Sequence, residues 1–395
     1  MDRRDFLGGM ALATAGAGLT AWNPESAAAA SIEGAGPESG ANGGAMPPVG
    51  PQLDPSDRSP NRDPLEVQRA TLVVNGLDPS NLRAEYIDTL TAGGVNCWHR
   101  GGGGVQEFSN AYHFFDEHSD RIVPARTVAE IRKARADGKI SHLFGWQSSE
   151  GLSDGSPPPP DPTALRAYYE MGLRIAGIAY NVANEFGAGC IEPQIGLTKA
   201  GERLVEEIHG LAIVLDIGGH TGDQTSFDAL EISRGVPVIC SHTNVRALVD
   251  NPRNISDRLM EAIADTGGVI GMTAFNDFHA RRRQDAHVPR TPQVGLDRHL
   301  DQYDYVKKLV GADHIALGPD FVDGPGRNVA QPMDRHRMPP EAYSEQPWFY
   351  VRGFEDISEL PNVTRGLIER GWSNAEIWKL LGENWLRVYE QVWGA

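Results

Sequence analysis

Eight short apolar runs recur along the chain, at 71–74, 95–98, 140–146, 175–179, 212–217, 236–240, 269–272 and 314–317. Helical patterns separate most of them, at 127–136, 163–171, 199–209, 225–234, 257–265 and 296–310. Brief apolar runs spaced by helix-length segments read as parallel strands, because a parallel pair needs a crossover of about a dozen residues or more. Eight such units predict a single α/β domain, a TIM-type (β/α)8 barrel. Gly94, Gly138, Gly172, Gly210 and Gly311 stand just ahead of the next run, where left-handed helix C-caps are expected.

The stretch 214–242 carries the chemistry. Its two apolar runs each end in a small residue and then a histidine, His220 after Gly218-Gly219 and His242 after Ser241. In a parallel barrel the carboxyl ends of the strands open onto the functional face, so two imidazoles from neighbouring strands can share one metal ion. The alternative is that each histidine only caps a strand or helix. Other polar residues fall at equivalent places: Gln147 and Glu150 after the third run, Tyr180, Asn181 and Asn184 after the fourth, and Asp320 after the eighth. Two ligands, a proton-moving carboxylate and hydrogen-bonding side chains are what metal-assisted hydrolysis requires. Arg253, just past the sixth run, suits a two-pronged contact with a substrate carboxylate, or is a surface arginine in a turn. The glycines at 101–104 and the prolines at 157–160 fall in loops on the same face, as filler or as a lid.

The amino terminus reads differently. Arg3-Arg4-Asp5-Phe6-Leu7 precedes a Gly/Ala-rich apolar run and a stretch of small residues, the pattern of a twin-arginine signal over 1–30. Such a signal implies the twin-arginine export machinery as a partner and a periplasmic or secreted protein. The run is too short and glycine-rich for a stable membrane span. Residues 31–62, rich in Gly, Pro, Ser and Ala, are expected to form a flexible tether, leaving 63–395 as the barrel domain. The net charge of −17 argues against a nucleic-acid partner. Cys97, Cys190 and Cys240 have no CxxC spacing and read as core thiols.

Several longer stretches resemble one family. Gly196-Leu197-Thr198-Lys199-Ala200-Gly201, Leu215-Asp216-Ile217 with His220, Ser241-His242 with Pro252-Arg253-Asn254, and Gly318-Pro319-Asp320-Phe321 are similar to the membrane (renal) dipeptidases, peptidase family M19 of the amidohydrolase superfamily. The closing 381–388, Leu-Gly-Glu-Asn-Trp-Leu-Arg-Val, is similar to that family's C-terminal signature. The resemblance implies a barrel with a two-zinc centre cleaving dipeptides. It implies zinc ligation by His220 and His242, a carboxylate receptor in Arg253, an acid/base in Asp320 and, by analogy, a homodimer.

Other family positions are changed. Leu77 and Pro79 stand where the family has its first-strand His-x-Asp pair, Gln147 where it has a bridging glutamate, and Tyr180 where it has a further histidine. One Zn2+ is therefore expected, held by His220 and His242 with Gln147 or Glu150, while Tyr180 and Asn181 contact substrate. His99, after the second run, is a further donor or a packing residue. Three functions stay open: a metal-dependent hydrolase of dipeptides or similar small amides, a barrel with an altered metal centre acting on another amide or lactone, and a non-catalytic carboxylate-binding protein.

Overall fold

The computed structural model describes residues 50–153, 160–280, 292–322, 336–344 and 350–394. The twin-arginine segment, residues 31–49 of the tether and most of the proline run lie outside the described residues.

All eight apolar runs form strands. In chain order they are β1 (Val74–Asn75), β2 (Cys97–Gly101), β4 (Ile140–Trp146), β5 (Leu173–Gly177), β6 (Val214–Asp216), β7 (Ile239–Thr243), β8 (Val269–Met272) and β9 (Ile315–Leu317), and β3 (Ile122–Pro124) is a ninth. The sheet runs β1-β2-β4-β5-β6-β7-β8-β9, every pair parallel, with β3 attached to β4 outside that path. Gly76 N donates to Leu317 O at 3.1 Å and Asp320 N to Leu77 O at 3.0 Å, which joins the last strand to the first. The result is a (β/α)8 barrel. β3 has only three residues and ends in proline, too little pattern for sequence reading to register.

The barrel interior is filled by strand side chains, including Val74, Cys97, Leu143, Val214 and Val269, packed against Trp385 and Tyr389. The closing signature explains this plug. A π-helical turn at Lys379–Glu383 brings Gly382 so close to the segment leading into β1 that a Cβ there would lie 1.8 Å from Leu72 O. Asn384 Nδ2 then donates to Ala312 O and Ile315 O, both at 2.8 Å, and the Trp385 indole donates to Leu317 O at 3.0 Å. The Gly196–Gly201 motif is likewise structural. Thr198 caps the helix Lys199–Gly210 by accepting from Gly201 N at 3.0 Å, and a Cβ on Gly201 would lie 1.9 Å from Phe186 O.

Gly94, Gly138 and Gly172 have φ of 75, 73 and 116°, as helix-ending glycines should, whereas Gly311 pairs φ 91° with an extended ψ of 165° and is not a left-handed cap. Gly210 is not one either. Its helix runs through it, and the left-handed residue is Ala212 at φ 54°, because Leu211 forms the cap and the turn falls one residue later. The three cysteines are buried and free.

Residues 50–62 correct the tether's extent. Asn374 Nδ2 donates to Asp54 O at 2.7 Å, Ala375 N to Pro55 O at 2.9 Å, and Arg62 Nη2 to Trp372 O at 2.6 Å. Composition missed this strap because it is held by polar backbone contacts to the start of the helix Asn374–Trp378, with little apolar burial. Among the described residues no helix is long and apolar enough to cross a membrane.

Candidate active site

His242 lies within β7, fully buried, with Nδ1 bonded to Ser241 Oγ at 2.7 Å and Nε2 without a partner. His220 follows β6 through Gly218 and Gly219. Gly219 has φ 50°, and a Cβ there would lie 1.9 Å from Arg253 Nη1, so only glycine lets the loop and the arginine share this space. The His220 ring sits 4.8 Å from the His242 ring and stacks on Tyr180 at 3.8 Å. Asn181, at φ 63°, accepts from His220 Nδ1 at 2.7 Å, while its own Nδ2 donates to Arg337 O at 2.5 Å and Tyr343 Oη at 3.1 Å. That pattern fixes which Asn181 atom faces the ring. The proton is on Nδ1, and Nε2 presents a lone pair.

Burial, and then the charge of Arg253, holds His220 and His242 well below the usual imidazole range, so both are neutral near pH 7. Gln147 Oε1 stands 2.9 Å from His220 Nε2. His220 Nε2, His242 Nε2 and Gln147 Oε1 are the donors that would hold one metal ion, since both imidazoles are neutral and bonded from behind, and Arg253 Nη2 also reaches within 3.3 Å of His220 Nε2.

They do not fit a two-ion centre. Leu77 is wholly buried, and the Asp78 side chain is held by Asn75 Nδ2 at 2.8 Å, by Ser80 N at 3.0 Å and by the Tyr86 hydroxyl. Among the described residues no three His, Cys, Asp or Glu side chains gather as metal ligands. Glu150 is not delivered to the imidazoles. It lies on a 3-10 turn, Glu150–Ser153, and pairs with Arg337 at 3.0 Å. His99 is buried on β2 with Nδ1 2.5 Å from Gly76 O, and a Cβ on Gly145 would meet its Nε2 at 2.0 Å. His99 Nε2 is buried without a partner, as His242 Nε2 is.

Arg253 is fully buried. Nε donates to Tyr343 Oη at 2.9 Å, Nη2 lies 3.3 Å from His220 Nε2, and Nη1 has no partner. Among the described residues no carboxylate forms an ion pair with it. Asp320 sits just past β9 in a left-handed conformation, φ 61°. Burial pushes its carboxyl up to about 7, opposed by Arg253 and assisted by Asp78. Burial raises the Tyr180 hydroxyl to about 12, so it stays protonated. Gln147 and Tyr180 also line a cleft of about 810 Å³ whose walls include Gly102, Trp146, Tyr168, Arg337 and Met338. Sequence reasoning missed Tyr343 and Arg337, because neither belongs to a local motif or follows a strand.

The family model of the membrane dipeptidases, peptidase family M19, matches residues 104–339 and 347–394. The chain belongs to the membrane dipeptidase family. As a member of that family it is a hydrolase. An uncharacterized protein from the pqqA 5′ region of Klebsiella pneumoniae is 30% identical over 275 residues, 68% of this chain and 88% of that protein. The dipeptidase aclJ of Aspergillus oryzae is 26% identical over 292 residues, which cover 73% of this chain and 60% of that one. Among solved structures, an amidohydrolase from Pseudomonas aeruginosa is 28% identical, with a TM-score of 0.73 over 85% of this chain and 100% of that one. A metallo peptidase from Rhodobacter sphaeroides, solved with a phosphinate mimic of the dipeptide L-Ala-D-Ala, shares the fold at 20% identity and a TM-score of 0.64, over 82% of this chain and 100% of that one.

Proposed function

We propose that this membrane dipeptidase relative hydrolyses dipeptides, or similarly small amides ending in a free carboxylate. The observation that carries the reading is Arg253, a guanidinium wholly buried beside His220 with an unpartnered Nη1, which among the described residues has no carboxylate in ion-pair contact and only the through-space charge of Asp320 opposite it. A buried cation without a directly bonded anion is costly unless one joins it, so the free Nη1 suits an anionic group on the ligand.

With that carboxylate held, the neighbouring amide carbonyl lies toward the imidazoles. Asp320, with its pKa near 7, accepts the proton of the attacking water and passes it to the leaving amine, the two transfers that amide hydrolysis needs. Tyr180 and Gln147 form the cleft wall against which the substrate is oriented. His220, His242 and Gln147 would hold a single zinc ion, which supplies an acidified water and carbonyl polarisation when bound. The twin-arginine segment supports export to the periplasm or beyond.

The test is amino-acid release from a dipeptide panel by the full chain, with zinc content measured alongside. Turnover lost in Arg253→Met and Asp320→Asn supports the reading. No turnover of any dipeptide by zinc-supplemented protein overturns it.

A further inference from the structure

We propose that the cleft selects substrates carrying a second carboxylate on their outward half, with Arg337 as its receptor. This inference rests on the dipeptidase reading and specifies its substrate class. Arg253 lies at the buried end of the site, whereas the Arg337 side chain is 51% exposed and lines the cleft with Gln147 and Tyr180. The two cations share one wall. Tyr180 stacks on the ring that Arg253 touches, and the Arg337 guanidinium lies 4.8 Å from the Tyr180 centroid. Asn181, which orients His220, also accepts Arg337 into the site, since its Nδ2 donates to Arg337 O at 2.5 Å. The position of Arg337 is thus built into the site.

Its present partner is replaceable. Glu150 meets Arg337 through one contact, Nη2 to Oε2 at 3.0 Å, with the Glu150 side chain 35% exposed. A single-pronged pair at a wet rim is held weakly, while a ligand carboxylate offered two-pronged to a guanidinium is bound more strongly and with defined geometry. A dipeptide whose terminal carboxylate reaches Arg253 directs its amino-terminal residue toward the cleft mouth. The second carboxylate therefore belongs on that residue, where it displaces Glu150 from Arg337. Trp146, Tyr168 and Met338 pack its aliphatic stem.

The experiment compares two dipeptides that share a carboxyl-terminal residue and begin with Glu or with its neutral isostere Gln. The full chain and the Arg337→Gln and Glu150→Gln variants are assayed for kcat and KM. Equilibrium binding of the same dipeptides is measured on the Asp320→Asn forms. The Glu dipeptide should be preferred about tenfold, through KM and Kd, the scale of one charge-assisted contact. Arg337→Gln should bring the preference to within about twofold, and Glu150→Gln should enlarge it by freeing the guanidinium. A merely structural role for the pair cannot move the preference in opposite directions. Equal binding of the two dipeptides, a preference that survives Arg337→Gln, or weaker binding of both in Glu150→Gln each overturns the proposal. Failure of turnover with the binding preference intact overturns the dipeptidase reading instead.

Discussion

His220 Nε2 and Gln147 Oε1 stand 2.9 Å apart, and with Nδ1 donating to Asn181 both atoms bring lone pairs to the same point. Two acceptors at that separation repel unless a cation lies between them or the amide turns its NH2 toward the ring. Arg253 Nη2, 3.3 Å from the same nitrogen, already brings one positive charge there, and a metal ion would bring a second.

Replacing Gln147 by Glu removes the second option and supplies an anionic donor. Zinc affinity of Gln147→Glu is expected to rise by about tenfold, the scale on which changes around a ligand shell act. Competition against a chromophoric chelator reads it directly. Unchanged affinity would mean that residue 147 is not a donor.

Asp320→Asn is expected to lower kcat by about 10²–10⁴-fold, the usual worth of a general base. In the parent, kcat/KM should fall as pH drops below about 7, because the carboxylate form is the base. Stability moves the other way. The folded pKa lies above the unfolded value, so this group's contribution is complete below about pH 4 and is lost as pH rises through about 7. The variant should therefore melt higher than the parent at pH 8, which a pair of thermal scans checks.

Tyr343→Phe takes away the oxygen that accepts from Arg253 Nε at 2.9 Å. The guanidinium then loses its alignment, and KM for a carboxylate-bearing substrate should rise by about tenfold with kcat little changed. Zinc content should stay at the parent value. A fall in kcat at constant KM would refute the positioning role.

Burial holds His142, His279 and His299 below the usual imidazole range, with His279 at about 4. These depressed values favour folding above about pH 6.5, and that stability is lost as pH falls toward 4. The melting temperature should decline across this window, with more than one proton taken up per molecule unfolded at pH 5. Calorimetry in buffers of differing ionisation enthalpy measures that uptake.

Trp385→Ala empties the barrel plug, and unfolding free energy should fall by about 3–5 kcal/mol. Urea denaturation followed by Tyr and Trp fluorescence gives the number. Activity per folded molecule should survive, since Trp385 packs at Gly76 and Leu317 and away from the cleft.

Much of this protein was legible in its local pattern. Short apolar runs and helix periodicity depend on neighbours in sequence, so all eight barrel strands could be read directly, and with them the strand-end positions of His220, His242, Gln147 and Asp320. Thr198 as a cap and Gly382 as a close approach are equally local demands. The rest depended on groups far apart in the chain. Glu150 was set aside as a ligand by Arg337, 187 residues away, and Arg253 is aligned by Tyr343, 90 residues away. Residues 50–62 became a strap only because Asn374 and Trp372 meet their backbone. Sequence alone determined the barrel and which residues could reach its functional face. Only the tertiary structure decided which of them meet, because electrostatic pairing and burial are set by distances that chain spacing does not encode.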